Sequence, residues 1–226
     1  MTGGRDKALV VLSGGQDSTT CLYWAIERFD RANVSSITFD YGQKHRIELE
    51  CARNVAAAAG VTNVCLPIDT FAALGGDALT DTSIPVSDEA DEETELPVTF
   101  VPGRNLIFMT FAAAFAYRHD ARHLVTGVAQ TDYSGYPDCR EETMAALQRA
   151  ITLGMDRDFT IHTPLMHRSK KETVELAVRL GALDAMALTH TCYNGRRPPC
   201  GECQACRLRA TGFAEAGLSD PLLDIQ

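Results

Sequence analysis

The sequence predicts an α/β fold, an open parallel sheet with helices on both faces, and three observations carry the prediction. An apolar run from Lys7 to Leu12 ends in a Gly-rich turn and gives way to a stretch with helical periodicity. Strand-like and helix-like segments then alternate along the chain, the pattern of βαβ units that build parallel sheets. The residues richest in chemistry fall where predicted strands end, the edge at which such sheets bind ligands.

Each element has its own signal. Lys7 to Leu12 has the length and β-branched content of a buried strand, and Ser18 to Arg31 places Leu22, Tyr23, Ala25, Ile26 and Phe29 at helical spacing. Val34 to Phe39 reads as a second strand, Lys44 to Ala59 as a helix closed by Gly60, and Val61 to Pro67 as a third strand. Asp69 to Pro97 is irregular, with an acidic run from Asp88 to Glu95 that reads as a solvated loop or as a flap over a site. Leu106 to Tyr117 is an apolar helix for which Asn105 is the expected N-cap. His123 to Thr126 is a fourth strand, Glu141 to Leu153 a helix and Phe159 to His162 a fifth strand. Ser169 to Leu180 reads as a helix capped by Ser169 and stopped by Gly181. The expected organisation is one α/β domain over 1–187 and a small segment over 188–226, with a helix, packed on it.

Composition narrows the class. The 226 residues suffice for a sizeable core, and 45% hydrophobic with 23% charged residues is ordinary for a globular protein. No run approaches the eighteen or so apolar residues of a membrane span, and Met1 to Asp6 reads as too short and polar for a signal peptide, so a cytoplasmic, membrane-free protein is expected. A formal charge of −9 argues against direct nucleic-acid binding, although Arg196, Arg197, Arg207 and Arg209 form a local basic cluster. Of eight cysteines, Cys21, Cys51 and Cys65 stand alone in apolar segments and are read as small core residues.

The turn Ser13-Gly14-Gly15-Gln16-Asp17-Ser18 is the strongest functional signal. Two glycines let the backbone approach a ligand, the first amides of the next helix lack intrahelical partners, and Ser13, Ser18 and Thr19 add hydroxyl donors. The Gly-Lys pair of the G-x-x-x-x-G-K-[ST] phosphate loop is missing. The pattern resembles instead the PP-loop of ATP pyrophosphatases, which cleave ATP between its α and β phosphates; the resemblance implies that the loop holds pyrophosphate and that Asp17 helps organise Mg²⁺. Asp40 to Gln43 end the neighbouring strand, so one nucleotide could touch both segments, which makes Asp40 a nucleotide-binding candidate.

Other residues gather around this loop by position. Arg104 and Lys170 with Lys171 sit at predicted helix starts, where a cation does not help the helix, and this misfit favours contact with an anion. Gly127 to Arg140 contains Asp132, Tyr133, Tyr136, Asp138 and Cys139. Aromatic rings beside carboxylates suit a planar heterocycle, or the tyrosines simply cover the core edge. Cys192, Cys200, Cys203 and Cys206 are spaced C-x₇-C-x₂-C-x₂-C, as for a closed tetrahedral zinc shell of structural type; an iron–sulfur cluster is the competing metal.

The motifs together resemble the 7-cyano-7-deazaguanine synthase family, PP-loop ligases of the queuosine pathway, along nearly the whole chain. The resemblance rests on 13–22, Phe39-Asp40-Tyr41-Gly42-Gln43, 100–105, Thr126-Gly127-Val128, 131–140, 153–155, 163–166 and the stretch from Thr191 through the cysteines. It implies a Rossmann-like fold of the adenine nucleotide alpha hydrolase type with a C-terminal zinc-binding segment. It also implies a carbon–nitrogen ligase that converts 7-carboxy-7-deazaguanine, ammonia and ATP to the nitrile through an adenylated carboxylate and an amide, a structural zinc on the four cysteines, and a homodimer. Leu12, Ser13, Gly14, Gly15, Gln16, Asp17, Ser18, Thr19, Thr20, Cys21 and Leu22 carry over as the nucleotide-binding stretch. Ser13, Asp17, Ser18 and Lys170 are expected on the phosphates with Mg²⁺ bridging, and Arg104 there or on the substrate carboxylate. Asp132, Tyr133, Tyr136 and Asp138 are the candidates for the deazaguanine, chosen by chemistry and position. Rival readings are a tRNA-modifying sulfurtransferase, a homologue that attaches deazaguanine to proteins, and a non-enzymatic zinc-stabilised nucleotide- or RNA-binding module.

Overall fold

The computed structural model describes residues 7–43, 45–71, 79, 96–97, 99–130 and 136–224. Five parallel strands, β1 (Lys7–Val11), β2 (Val34–Asp40), β3 (Thr62–Pro67), β4 (Ala121–Val125) and β5 (Thr160–His162), form one sheet in the order β3-β2-β1-β4-β5. This is the doubly wound order in which the chain, having added strands on one side of β1, crosses to add β4 and β5 on the other, so a crevice opens beyond the carboxyl ends of β1 and β4. Ala8 pairs with Val34 on one side of β1, and Val10 with Val125 on the other.

The alternation along β1 divides the core. Ala8, Val10 and Leu12 face α1 (Gln16–Phe29), α2 (Ile47–Ala59) and α5 (Lys170–Arg179), meeting Leu22, Val55 and Leu176. Leu9 faces the other way, where Ile37, Phe39 and Leu124 meet Met109 and Ala113 of α3 (Arg104–Arg118) and Ile151 of α4 (Glu141–Met155). Period-two side chains on a sheet covered on both faces explain the near-continuous apolar run of β1, while β2 buries Ser36 and Thr38 beside its apolar residues. A last helix, α6 (Gln204–Glu215), packs against α5 and starts inside the cysteine cluster. Among the described residues, no helix is long and apolar enough to cross a membrane.

Several boundaries differ from expectation for physical reasons. Helix α1 begins at Gln16, two residues early, because Gly15 in extended backbone ends the turn there. Helix α2 begins at Ile47, three residues late, because the chain after β2 folds back first: the Gln43 side chain accepts from the Tyr41 amide and donates to the Phe39 carbonyl. The N-cap of α3 is Gly103, in the left-handed region at φ 70°, and not Asn105, whose amide lies within the first turn. Ser169 does cap α5, in a full capping box with Glu172. Cys21 and Cys51 are buried, but Cys65 is exposed, since β3 is an edge strand covered incompletely. Arg209 leaves the basic cluster altogether: it is 4% exposed and bound through two nitrogens to Asp220, at 2.6 and 2.7 Å.

Candidate active site

The turn after β1 is clamped from three directions. Gly14 has φ 86°, and a Cβ there would lie 2.5 Å from the Glu48 carbonyl oxygen and 2.7 Å from the Ala52 amide, so α2 rests directly on the loop and only glycine fits. The His190 amide donates to the Gly14 carbonyl at 2.9 Å. From the end of β4, Gly127 approaches so closely that a Cβ would stand 3.0 Å from the Ser18 amide nitrogen.

Inside the clamp the polar groups are ordered. The hydroxyls of Ser13 and Ser18 are 3.0 Å apart, the Ser13 amide donates to Ser18 Oγ, and Thr19 Oγ1 donates to the Gly15 carbonyl at 2.8 Å. The first amides of α1 are those a helix leaves without internal partners, and its dipole adds positive potential there. Gln16 is 5% exposed, and its Nε2 has no hydrogen-bond partner among the described residues. A buried amide donor without an acceptor costs on the order of 1–3 kcal/mol; an oxygen-rich ligand would relieve it. Thr20, Cys21 and Leu22 turn into the core: Thr20 Oγ1 bonds the Gln16 carbonyl, and Cys21 and Leu22 are fully buried. One turn of helix therefore separates the ligand-facing part of the 12–22 stretch from its packing part.

The loop opens on a cavity of about 310 Å³ lined by β1 and β4 ends and by later parts of the chain. Lys170, the first residue of α5, reaches it and places Nζ 2.8 Å from Asp17 Oδ2, while Lys171 turns to Glu175. This ion pair is what offsets a cation at a helix start. Arg104 enters from α3, its guanidinium 3.5 Å from the Tyr41 hydroxyl and 5.9 Å from the centre of that ring. Burial works against its charge, but the hydroxyls of Tyr41, Tyr136 and Tyr193 and the Asp138 carboxylate more than compensate, so its pKa is raised.

The residues expected to read a heterocycle separate in the structure. Tyr136 lines the cavity, with its hydroxyl 2.6 Å from Thr99 Oγ1. Asp138 is buried at 5% exposure and accepts from the Asn105 amide at 3.0 Å, so its carboxylate holds the start of α3 and is not part of the cavity wall. Asp132 and Tyr133 lie outside the described residues. Asp40 pairs with Arg46, and the cavity at the end of β2 is lined instead by Tyr41 and Gln43.

Sequence reasoning missed Glu48, His45, His190 and Tyr193, all of which line the cavity. His45 follows the Asp40–Gln43 motif by two residues and Tyr193 stands in the stretch from Thr191 that carries the family resemblance, so both had a signal; Glu48 and His190 gave none. Burial raises the Glu48 carboxyl to about 7 against the attraction of Arg104. Burial likewise holds His190 below its ordinary value.

Cys192, Cys200, Cys203 and Cys206 place their four sulfurs within 4.8 Å of one another. Cys200 and Cys206 are 3.9 Å apart, close to the ~3.8 Å edge of a tetrahedron with the 2.3 Å bonds of zinc to sulfur. Burial would raise the Cys200 thiol, but amides of Cys203 and Glu202 donate to its sulfur and bring it down to about 6. The donor set and its spacing fit a zinc ion. The same segment touches the cavity: Gly195 packs so tightly on the His45 ring that a Cβ would overlap it, and Tyr193 and Gln204 are wall residues.

A Ser-Gly-Gly-Gln-Asp-Ser turn between the first strand and helix of a β3-β2-β1-β4-β5 parallel sheet, with a lysine from a later helix on its aspartate, defines a PP-loop α/β protein. The predicted subunit of a tRNA methyltransferase from Methanocaldococcus jannaschii shares the fold, with TM-score 0.50 and 17% identity over 76% of this chain and 74% of that one. The chain belongs to the queuosine biosynthesis protein QueC family, whose profile matches residues 7–217. Relatives named 7-cyano-7-deazaguanine synthase are 66% identical in Chromobacterium violaceum, over 97% of this chain and 94% of that protein, and 63% identical in Laribacter hongkongensis, over 97% and 95%. One from Bacillus subtilis is 48% identical, over 93% and 95%.

Proposed function

We propose that the chain is an ATP-dependent carbon–nitrogen ligase that converts 7-carboxy-7-deazaguanine and ammonia to 7-cyano-7-deazaguanine. The observation that carries the reading is a single cavity with a phosphate-type end, Ser13 to Ser18 with Lys170, and a second cation, Arg104, beside Tyr136. Such a cavity offers the phosphates of a nucleotide one end and a planar carboxylate the other. The names of relatives at 48 to 66% identity support the substrate assignment.

A carboxylate is a poor electrophile, so its oxygen first attacks the α phosphate of ATP. The work of the protein is to align that attack and to stabilise charge on the departing pyrophosphate. Ser13, Ser18, the first amides of α1 and the orphaned Gln16 amide would receive the pyrophosphate. Asp17 and Lys170 would meet Mg²⁺ and phosphate oxygens, exchanging their ion pair for those contacts. Arg104 would hold the substrate carboxylate, Tyr136 would face the ring, and Asp138 would act by fixing the start of α3; Asp132 and Tyr133 remain candidates for the ring from sequence. Ammonia displaces AMP to give an amide, and a second activation with loss of the amide oxygen gives the nitrile. Zinc on the four cysteines would supply a closed, structural shell.

Mass spectrometry of products formed from Mg-ATP, an ammonium salt and 7-carboxy-7-deazaguanine tests the reading. Nitrile together with AMP supports it. Amide without nitrile makes the chain a related ligase that stops halfway, and no AMP refutes it.

A further inference from the structure

Among the ionisable groups of the cavity that the adenylation chemistry leaves without a task, Glu48 is the acid. Glu48, in the first turn of α2, lines the cavity, and its carboxylate makes no hydrogen bond or salt bridge among the described residues. Glu50 on the same turn already places an exposed carboxylate at the positive end of the helix. A carboxylate beside a pyrophosphate would repel it. Beside a cationic substrate it attracts, and with its pKa near 7 it can both take and release a proton at neutral pH.

The ligase reading supplies such a substrate. Ammonia exists in neutral water mostly as ammonium, which has no free electron pair until a proton leaves. Arg104, the cation that acts on Glu48, is also the group proposed to hold the substrate carboxylate, so a nucleophile seated at Glu48 would lie on the same side of the cavity as the acyl group. We propose that Glu48 is the subsite for the nitrogen nucleophile, where it binds ammonium and acts as its base; the proposal rests on the ligase reading. An N–H bond of ammonium breaks as the Glu48 oxygen takes the proton, and the freed electron pair forms the C–N bond to the acyl adenylate. The bond from that carbon to the AMP oxygen breaks, its electrons leave with AMP, and the second proton shed by nitrogen passes to solvent.

Three measurements on the full-length, metal-loaded protein test this with Glu48→Gln and Glu48→Asp. The first is exchange of pyrophosphate into ATP that depends on 7-carboxy-7-deazaguanine, without ammonium. The second is the ammonium dependence of amide formation, and the third is the rate with hydroxylamine, a nitrogen nucleophile largely unprotonated at neutral pH. For Glu48→Gln we expect kcat/KM for ammonium to fall ~100-fold or more, in the range of lost general-base catalysis, hydroxylamine to react within about threefold of wild type, and Glu48→Asp to recover part of the ammonium rate. Unchanged ammonium dependence overturns the proposal, as does equal loss with both nucleophiles. If far-UV circular dichroism shows Glu48→Gln to be misfolded, Glu48→Asp decides: a selective rise in the KM for ammonium supports the subsite and a normal KM overturns it. No exchange in the wild type removes the ligase reading and the subsite with it, whereas exchange with normal ammonium dependence in the variants removes the subsite alone.

Discussion

Replacing Asp220 by alanine should be among the most damaging single changes outside the cavity. Arg209 donates to both oxygens of Asp220, at 2.6 and 2.7 Å, to Thr189 Oγ1 at 2.7 Å, to Thr191 Oγ1 at 3.0 Å and to the Met186 carbonyl at 3.1 Å. The two charged side chains are 4% and 7% exposed. Little of either is open to water, so removing the carboxylate leaves a buried guanidinium without its counter-charge, and the cost of breaking such a pair is about 3–5 kcal/mol. For a chain of this size about 2–4 °C of Tm accompanies each kcal/mol, which gives a fall of ~6–20 °C. Urea unfolding of the metal-loaded protein, followed by far-UV circular dichroism, measures the loss directly. The paired change Arg209→Met with Asp220→Leu should recover most of it, because a well-packed apolar pair avoids the desolvation of both ions. A loss below about 1 kcal/mol for Asp220→Ala would refute the view that this ion pair anchors α6 to the chain on either side of it.

Lys170→Ala should reduce turnover by at least about 100-fold, a typical loss for a preorganised electrostatic contact, and leave the metal content of the cysteine cluster unchanged; near-normal turnover would remove Lys170 from the phosphates. Gly127→Ala should raise the KM for ATP severalfold in a folded protein, since the new methyl lies 3.0 Å from the Ser18 amide nitrogen and pushes on the phosphate end of the cavity; an unchanged KM would mean that the end of β4 plays no part in shaping it. Metal affinity should fall as pH drops through the neutral range, because burial holds Cys203 and Cys206 as thiols whose protons the metal must displace, and fall further below about 6, where Cys200 is protonated as well. A dialysis series assayed for zinc reads this, and retention that does not vary with pH would argue against thiolate ligation.

The sheet and the phosphate loop were legible because their signals are local. The apolar, β-branched run of β1, the helical spacing of α1, the Ser169 cap and Gly181 stop of α5, and the glycines around Ser13 are all signals carried by a few neighbouring residues. What escaped depends on contacts between distant segments. Nothing near Arg209 says that Asp220 will face it, so a basic cluster counted in sequence loses one member to the interior. Cys65 sits in an apolar run like its buried counterparts, and only strand order makes it an edge residue. Asp138 has the chemistry of a ligand reader, yet the α3 amide of Asn105 claims its carboxylate. Glu48 offers the reverse lesson: it resembles any acidic residue in a first helical turn, and what distinguishes it is the cavity that distant elements close over it.

Helix α6 touches the chemistry through one small residue. At Gly212 a Cβ would come 2.9 Å from the Lys170 Cβ and 3.0 Å from its carbonyl oxygen, so the helix seeded by the cysteine cluster braces the segment from which Lys170 reaches Asp17. In synthesis order that brace comes late. A nascent chain that has released residues 7–180 from the ribosome carries all five strands and the whole Ser13–Ser18 loop, but the side of Lys170 that Gly212 covers is still bare. The cluster and α6 must emerge and fold before that side of Lys170 is packed, so the final setting of the lysine on Asp17 waits for a helix that begins more than thirty residues after it.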